Sequence, residues 1–450
     1  MSKNEGRDLT TGSPLKLILG FAVPMLLGYL FQQFYNMVDT IIVGQCLGVT
    51  ALAAVGSTGS INFMINGFCM GAAGGFAIPV AQKFGAGDHK AMRKYVANAM
   101  YLAAVFAAVM TAAVGLLCMN ILQWMNTPAD IIQGAYDYIF VIFMGIPVTY
   151  LYNLLAGIIR SLGDSRTPVY FLLLSSALNI ALDFFTILGL GMGVGGPALA
   201  TVVSQGISAV LCLFYMIKKF PILKMKEDEK KFDAGMAKVL CIMGVPMGLQ
   251  YSITAIGSVV LQTAVNSLGS LAVAAVSTGS KISMFFCTPF DALGGTMATF
   301  AGQNVGAKRL DRVKKGMWTA NFIGFAYSVL AFVVLFFGGR YLALLFLDPG
   351  ETELIGQISM FLIGNSLFYI PLTMVNVVRF SIQGMGFSTF AILAGVCEMA
   401  ARALVGFFLV PRFGFLPACF ASPLAWIFAD LFLIPAFYHC LKKLKILFGE

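Results

Sequence analysis

The sequence predicts an all-α integral membrane protein of twelve transmembrane helices in two pseudo-symmetric six-helix bundles. Three observations carry that expectation. Of 450 residues, 59% are hydrophobic and only 11% charged, whereas a soluble domain carries about a quarter charged residues. Apolar runs of 20 or more residues recur from Leu15 to Cys440, each long enough to cross a bilayer as a helix. The chain also repeats itself at an offset of about 220 residues. Ala53-Ala54-Val55-Gly56-Ser57-Thr58-Gly59-Ser60 returns as Ala274-Ala275-Val276-Ser277-Thr278-Gly279-Ser280, and Val23-Pro24-Met25 as Val245-Pro246-Met247. Gln82-Lys83-Phe84-Gly85-Ala86 is answered by Gln303-Asn304-Val305-Gly306-Ala307, and Arg160-Ser161-Leu162-Gly163 by Gln383-Gly384-Met385-Gly386.

The first half reads as spans 15–44, 51–80, 93–120, 130–160, 167–189 and 193–218. The first of these continues for about thirty residues without a small-residue cleavage signature, so it reads as a retained helix rather than a signal peptide. Basic residues close alternate spans. Lys83, Lys90, Arg93 and Lys94 follow the second, and Arg160 and Arg166 flank the turn after the fourth. After the sixth comes Lys218, Lys219, Lys224, Lys226, Lys230, Lys231 and Lys238. The second half reads as spans 236–267, 272–302, 312–338, 352–383, 388–411 and 415–441. Lys308, Arg309, Arg312, Lys314 and Lys315 follow its second span, and Lys442, Lys443 and Lys445 its last. The intervening loops hold almost no basic residue beyond Arg340 and Arg412, and links such as 189–193 and 410–415 are short and contain Gly or Pro. Twelve spans with both termini cytoplasmic put every basic loop on one side. Alternating strand patterns are missing, which argues against a transmembrane barrel.

Domain organisation follows: a cytoplasmic segment 1–14, a first lobe 15–218, a cytoplasmic linker 219–235, a second lobe 236–441 and a tail 442–450. The loop bias accounts for the net charge of +9 without nucleic-acid binding. Nine cysteines lie singly, with no Cys-x-x-Cys pair, and the only histidines are His89 and His439. That pattern offers neither a disulfide framework nor His/Cys metal chemistry. No nucleotide-binding Gly-x-x-x-x-Gly-Lys-Ser/Thr run occurs, and no stretch is left for a soluble catalytic domain, so the chain does not read as an enzyme and calls for no cofactor. Pro24, Pro147, Pro246, Pro289 and Pro371 fall inside spans and release backbone carbonyls, which makes them candidate hinges.

Charge at mid-membrane is costly and therefore informative. The first half places Asp39 in Asn36-Met37-Val38-Asp39-Thr40 and Asp183 in Asn179-Ile180-Ala181-Leu182-Asp183. Asn179 and Asp183, four apart, share a helix face. Counted along the spans at 1.5 Å per residue, Asp39, Asp183 and Thr201 all lie roughly 8–12 Å below the outer surface. No basic residue of the first half shares that depth. Two carboxylates, an amide and a hydroxyl could hold Na⁺ or share a proton; the competing reading is interhelical hydrogen bonding. In the second half Lys281, Asp291, Arg379, Glu398, Arg402 and Asp430 fall within spans. Glu398 and Arg402 are spaced to pair along one helix, Arg379 and Asp291 lie near enough to span ends to snorkel, and Lys281 and Asp430 have no local partner. A structural ion network is the first reading of this set, with a gating role for Lys281, Arg379, Glu398 and Arg402 as the second. Gln33 and Asn36 are candidates to line a central cleft.

The chain resembles the multidrug and toxic compound extrusion (MATE) transporters over roughly Ser13 to Lys443. The resemblance rests on Phe34-Tyr35-Asn36-Met37-Val38-Asp39-Thr40-Ile41-Ile42-Val43-Gly44, on the repeated Ala-Ala-Val-Gly-Ser-Thr-Gly-Ser segment, and on Arg160-Ser161-Leu162-Gly163-Asp164-Ser165-Arg166-Thr167-Pro168. Asn179-Ile180-Ala181-Leu182-Asp183 and Gly196-Pro197-Ala198-Leu199-Ala200-Thr201 complete it. It implies two lobes around a V-shaped central cleft, and antiport of organic, often cationic and amphipathic, compounds against H⁺ or Na⁺. It further implies a monomer in the bacterial cytoplasmic membrane. The family's first-lobe cation site is similar to Asp39, Asn179, Asp183 and Thr201 here, which would be metal ligands only under Na⁺ coupling. Some branches carry an acid in helix seven; this chain reads Pro246-Met247-Gly248-Leu249-Gln250-Tyr251 there, without one. A lipid-linked precursor flippase of the same superfamily is the alternative expectation.

Overall fold

The computed structural model describes residues 6–345, 347 and 349–449 (for Val49 the backbone alone), and they form helices with no strand among them. Residues 1–5 of the N-terminal segment and the last residue of the tail therefore lie outside the described residues. The helices are α1 (Pro14–Leu47), α2 (Val49–Ser57), α3 (Gly59–Gly85), α4 (His89–Trp124), α5 (Ile132–Met144), α6 (Ile146–Ser161), α7 (Arg166–Phe184) and α8 (Gly195–Lys219). They continue as α9 (Ala234–Asn266), α10 (Ser270–Gly306), α11 (Leu310–Ala343), α12 (Thr352–Ser366), α13 (Tyr369–Gly384), α14 (Thr389–Leu404), α15 (Val410–Phe413) and α16 (Phe415–Phe448).

Sixteen helices reduce to twelve crossings because several expected spans are interrupted. Ten stretches are long and apolar enough to cross a membrane, and the bent pairs α5–α6 and α12–α13 bring the number to twelve. The pairs turn by 46° and 49°. Pro147 and Pro371 stand just past those turns, in the first turn of α6 and of α13, where a proline's missing N–H costs no helical bond. Two further spans widen into a π turn near one end, at Phe185–Gly189 after α7 and Val405–Leu409 after α14. Much of the apolar surface faces outward: only 22% of the most apolar stretch of α4 is buried, while Leu116 and Phe214 are exposed. Apolar exposure on this scale is the signature of a lipid-facing wall.

The chain packs as two compact units. The first comprises Leu27–Gly248 with the described residues before Leu9; the second comprises Leu9–Leu26 with the chain from Leu249 onward. Both α1 and α9 are thus divided between units two residues past an internal proline, Pro24 and Pro246. A proline leaves the carbonyl four residues earlier without its helical bond, so each helix is weakest where its allegiance changes.

In the first unit α3 packs on α4 and α6, α6 and α5 on α8, and α7 on α8. The second unit repeats the scheme, with α10 on α11 and α13, α13 on α16, and α14 on α16. Each core centres on aromatics: Phe76, Phe106 and Tyr150 in the first unit, Phe290, Tyr327 and Tyr369 in the second. Glycine sets the closest approach in the first unit. A Cβ on Gly75 would lie 2.5 Å from Gly244 Cα, and one on Gly244 would lie 2.4 Å from the Phe76 ring, so α3 and the first half of α9 touch backbone to backbone.

The linker is docked rather than loose. Arg93 Nε and Nη2 each donate to a Glu229 carboxylate oxygen at 2.7 Å, Tyr101 donates to Lys230 O at 2.8 Å, and Asn98 accepts from the Asp233 N–H at 2.9 Å. The Arg93 guanidinium and the Lys226 N–H hold the Glu229 carboxyl at about 2, below its ordinary 4.5.

Candidate functional site

Four helices of the first unit bring the site together. α1 supplies Tyr35 and Asp39, α5 Tyr138, α7 Asn179 and Asp183, and α8 Thr201. Asn179 is 1% exposed and Asp183 fully buried, so this is an interior site. Asp183 lies two residues before the π turn, whose wider winding is braced by Thr186 Oγ1 donating to Asp183 O at 3.2 Å. Single π turns of this kind are frequent at functional positions.

The hydrogen bonds radiate from Asn179. The Thr201 N–H is a donor facing one of its amide atoms, which is therefore the oxygen. In that orientation Nδ2 donates to Asp183 Oδ2 at 3.0 Å. Oδ1 accepts from the Thr201 N–H at 3.0 Å and stands 3.0 Å from Thr201 Oγ1 and 3.3 Å from the Tyr35 hydroxyl. Tyr35 also lies 3.3 Å from Thr201 Oγ1, which donates to Pro197 O at 3.0 Å.

The Asp39 and Asp183 carboxyl groups lie within electrostatic reach of each other. One oxygen of each, Asp39 Oδ1 and Asp183 Oδ1, is buried without a hydrogen-bond partner. Among the described residues no Lys or Arg forms an ion pair with either acid. The result is an interior nest of oxygens: two open carboxylate oxygens with the Asn179, Thr201 and Tyr35 oxygens close by. Such a set can exchange a proton or coordinate a hard monovalent cation. All four site residues named from the sequence thus share one nest. Tyr138, buried and within Coulombic reach of both acids, went unnamed. A tyrosine in an apolar span carries no signal that separates it from packing.

The second unit behaves differently from its sequence. Arg379 does not snorkel: it is 6% exposed and donates from Nη2 to Glu398 Oε1 across the α13–α14 contact. Arg402 approaches the other Glu398 oxygen at 3.6 Å along α14, at the spacing expected. Asp430 on α16 is buried, whereas Asp291 and Lys281 on α10 are exposed. Gln33 is half-buried and Asn36 exposed on α1. Both unpaired-acid and ion-network positions precede a π turn, Asp183 in one unit and Arg402 in the other.

The MatE family profile matches residues 24–185 and matches again over 246–408. The chain belongs to the MATE family. The two matches open on Pro24 and Pro246, the prolines at which α1 and α9 change unit, and so place the internal repeat on a family footing. The chain is 29% identical to the "Probable multidrug resistance protein YoeA" of Bacillus subtilis over 74% of its own length and 73% of that protein's. A second Bacillus subtilis protein, "Probable multidrug resistance protein YpnP", is 28% identical over 78% of each chain. Among solved structures, the outward-facing conformation of a multidrug resistance MATE family transporter of the MOP superfamily superposes with a TM-score of 0.91. That match has 20% identity and covers 99% of this chain and 100% of that one, a likeness of fold. MATE proteins are multi-pass membrane transporters, not enzymes. The multidrug names of these relatives do not favour the flippase expectation.

Proposed function

We propose that this MATE protein is a secondary antiporter that exports small organic compounds, often cationic and amphipathic, in exchange for an inward flow of H⁺ or Na⁺. Asp39 and Asp183 carry the coupling ion, with Asn179, Thr201 and Tyr35 positioning it. One observation supports this above others: two neighbouring acids, each with a buried open carboxyl oxygen and neither held by a lysine or arginine among the described residues. Permanent ion pairing would fix their charge, whereas a pair of this kind must load and unload something to change state. Coupling then requires that the loaded and unloaded forms favour different access states. The multidrug names of the relatives support the substrate class. The one-sided distribution of basic loops supports a bacterial cytoplasmic membrane location with both termini inside, and the protein works as a monomer.

Purified protein in liposomes, loaded with a fluorescent organic cation and given a pH gradient or a Na⁺ gradient separately, tests the proposal. One of the two gradients alone drives dye movement and collapses as dye moves. Dye flux that is indifferent to both would refute ion coupling.

A further inference from the structure

The second unit holds four buried ionisable groups on three neighbouring helices: Arg379 on α13, Glu398 and Arg402 on α14, and Asp430 on α16. The helices α13, α14 and α16 pack on one another. Both arginines converge on one glutamate, Arg379 at Oε1 and Arg402, more loosely, at Oε2. Counted as charges, that triad carries one positive charge in excess. Asp430 would cancel it, yet among the described residues no ion pair reaches Asp430, and its Oδ1 is buried without a partner. It lies within Coulombic reach of Arg379. Two donors of the arginines are likewise idle and buried, Arg379 Nε and Arg402 Nη1. Next to Arg402, Gly257 leaves open the place where a Cβ would sit 3.3 Å from Nη1.

We propose that Asp430 is a second proton-exchange site, at which loss of the proton transfers Arg379 from Glu398 to Asp430. With Asp430 protonated, both arginines share Glu398, which is the arrangement observed. When the proton leaves to water, the new carboxylate attracts Arg379 through its idle Nε, no atom of the guanidinium losing a proton. Arg402 then closes on Glu398 with its idle Nη1. Two neutral pairs, Arg379–Asp430 and Arg402–Glu398, replace a three-member cluster of net charge plus one. The second arginine is what permits the exchange, because without it Glu398 would be left as a lone buried charge. Moving Arg379 from α14 to α16 re-ties α13 within this unit.

Most charges on the neighbouring elements lie at helix ends, away from these four groups. On α16 Tyr438, His439, Cys440, Lys442, Lys443 and Lys445 lie toward its C-terminal end and Cys419 in its first turns. α11 holds Asp311, Lys314, Lys315 and Arg340 in or next to its end turns, α12 holds Glu353 in its first turn, and Arg412 belongs to the short α15. Two groups outside the four also act on Arg379, Asp291 of α10 from an exposed position and Tyr251 of α9.

The exchange rests on the transport reading only for its use, so the test is made without transport. Infrared spectra of the purified protein in lipid nanodiscs are followed with pH in an Asp39→Asn/Asp183→Asn background, which silences the first unit. A protonated-carboxyl band that titrates in this background and vanishes in Asp430→Asn is expected. Glu398→Gln is expected to move its midpoint to lower pH by about one unit or more, and Arg402→Gln to higher pH by a similar amount. Should Asp430→Asn fail to insert, Asp430→Glu answers instead by shifting the band and its midpoint together. A band untouched by either Asp430 variant, or midpoints that Glu398→Gln and Arg402→Gln leave alone or move the same way, would overturn the proposal. Either result stands apart from dye flux, which tests only the first-unit site.

Discussion

At the scale of single residues, the first-unit site divides its labour between groups that carry charge and groups that orient it. Asp39 and Asp183 belong to the first class. Tyr35 and Thr201 belong to the second, since each offers an oxygen at 3.0–3.3 Å from Asn179 Oδ1 without a charge of its own. Removing one such hydroxyl, by Tyr35→Phe or Thr201→Val, deletes a bond whose net worth is about 1 kcal/mol. Half-maximal transport is therefore expected to need about five-fold more of the driving ion, with the maximal rate largely kept. Titrating the driving ion against initial flux separates the two quantities; an unchanged ion requirement in both variants would remove them from the site. Much of this was legible because acids in apolar text announce themselves by their cost. The Arg379–Glu398 pair was not, since its members are 19 positions apart on different helices and only packing joins them.

Elements show where sequence and structure part. Hydropathy finds helices but not their interruptions. Gly145, which separates α5 from α6, and Leu367, just past α12, sit in apolar runs that read like any other. The prolines Pro147 and Pro371 were the available signals, and both stand next to a bend. Close helix contact gives a second prediction. In Gly244→Ala the new methyl meets the Phe76 ring at 2.4 Å and Ala72 O at 2.9 Å. Overpacking of this kind costs about 1–3 kcal/mol, so the purified variant should melt several degrees below the parent in a detergent thermal-shift assay. The linker supplies a third. Because the folded-state value of Glu229 is depressed to about 2, its grip on Arg93 is complete above its ordinary 4.5 and fades only as pH falls toward 2. Protease cleavage within 219–235 should thus be constant between neutral pH and pH 5. Arg93→Gln should expose the same segment throughout that range, by about 2 kcal/mol of lost charge-assisted bonding, read as roughly thirty-fold faster cleavage.

For the whole molecule, duplication explains both the likeness and the difference of the two units. One packing scheme serves twice, α3 on α6 and α10 on α13, with a π turn after α7 and again after α14. What each unit places ahead of its π turn has diverged, to unpaired acids in the first and to arginines sharing one glutamate in the second. The division of α1 and α9 at Pro24 and Pro246 escaped the sequence because chain order alone assigns a helix to a single half. The cation exchange proposed for Asp39 and Asp183 links these scales. Its most direct test is accumulation of a fluorescent organic cation by liposomes bearing the parent protein, Asp39→Asn or Asp183→Asn, inserted to equal density under the gradient that drives the parent. The account predicts that both variants fall to the level of protein-free vesicles. Gradient-driven accumulation at the parent's rate in either one would contradict it.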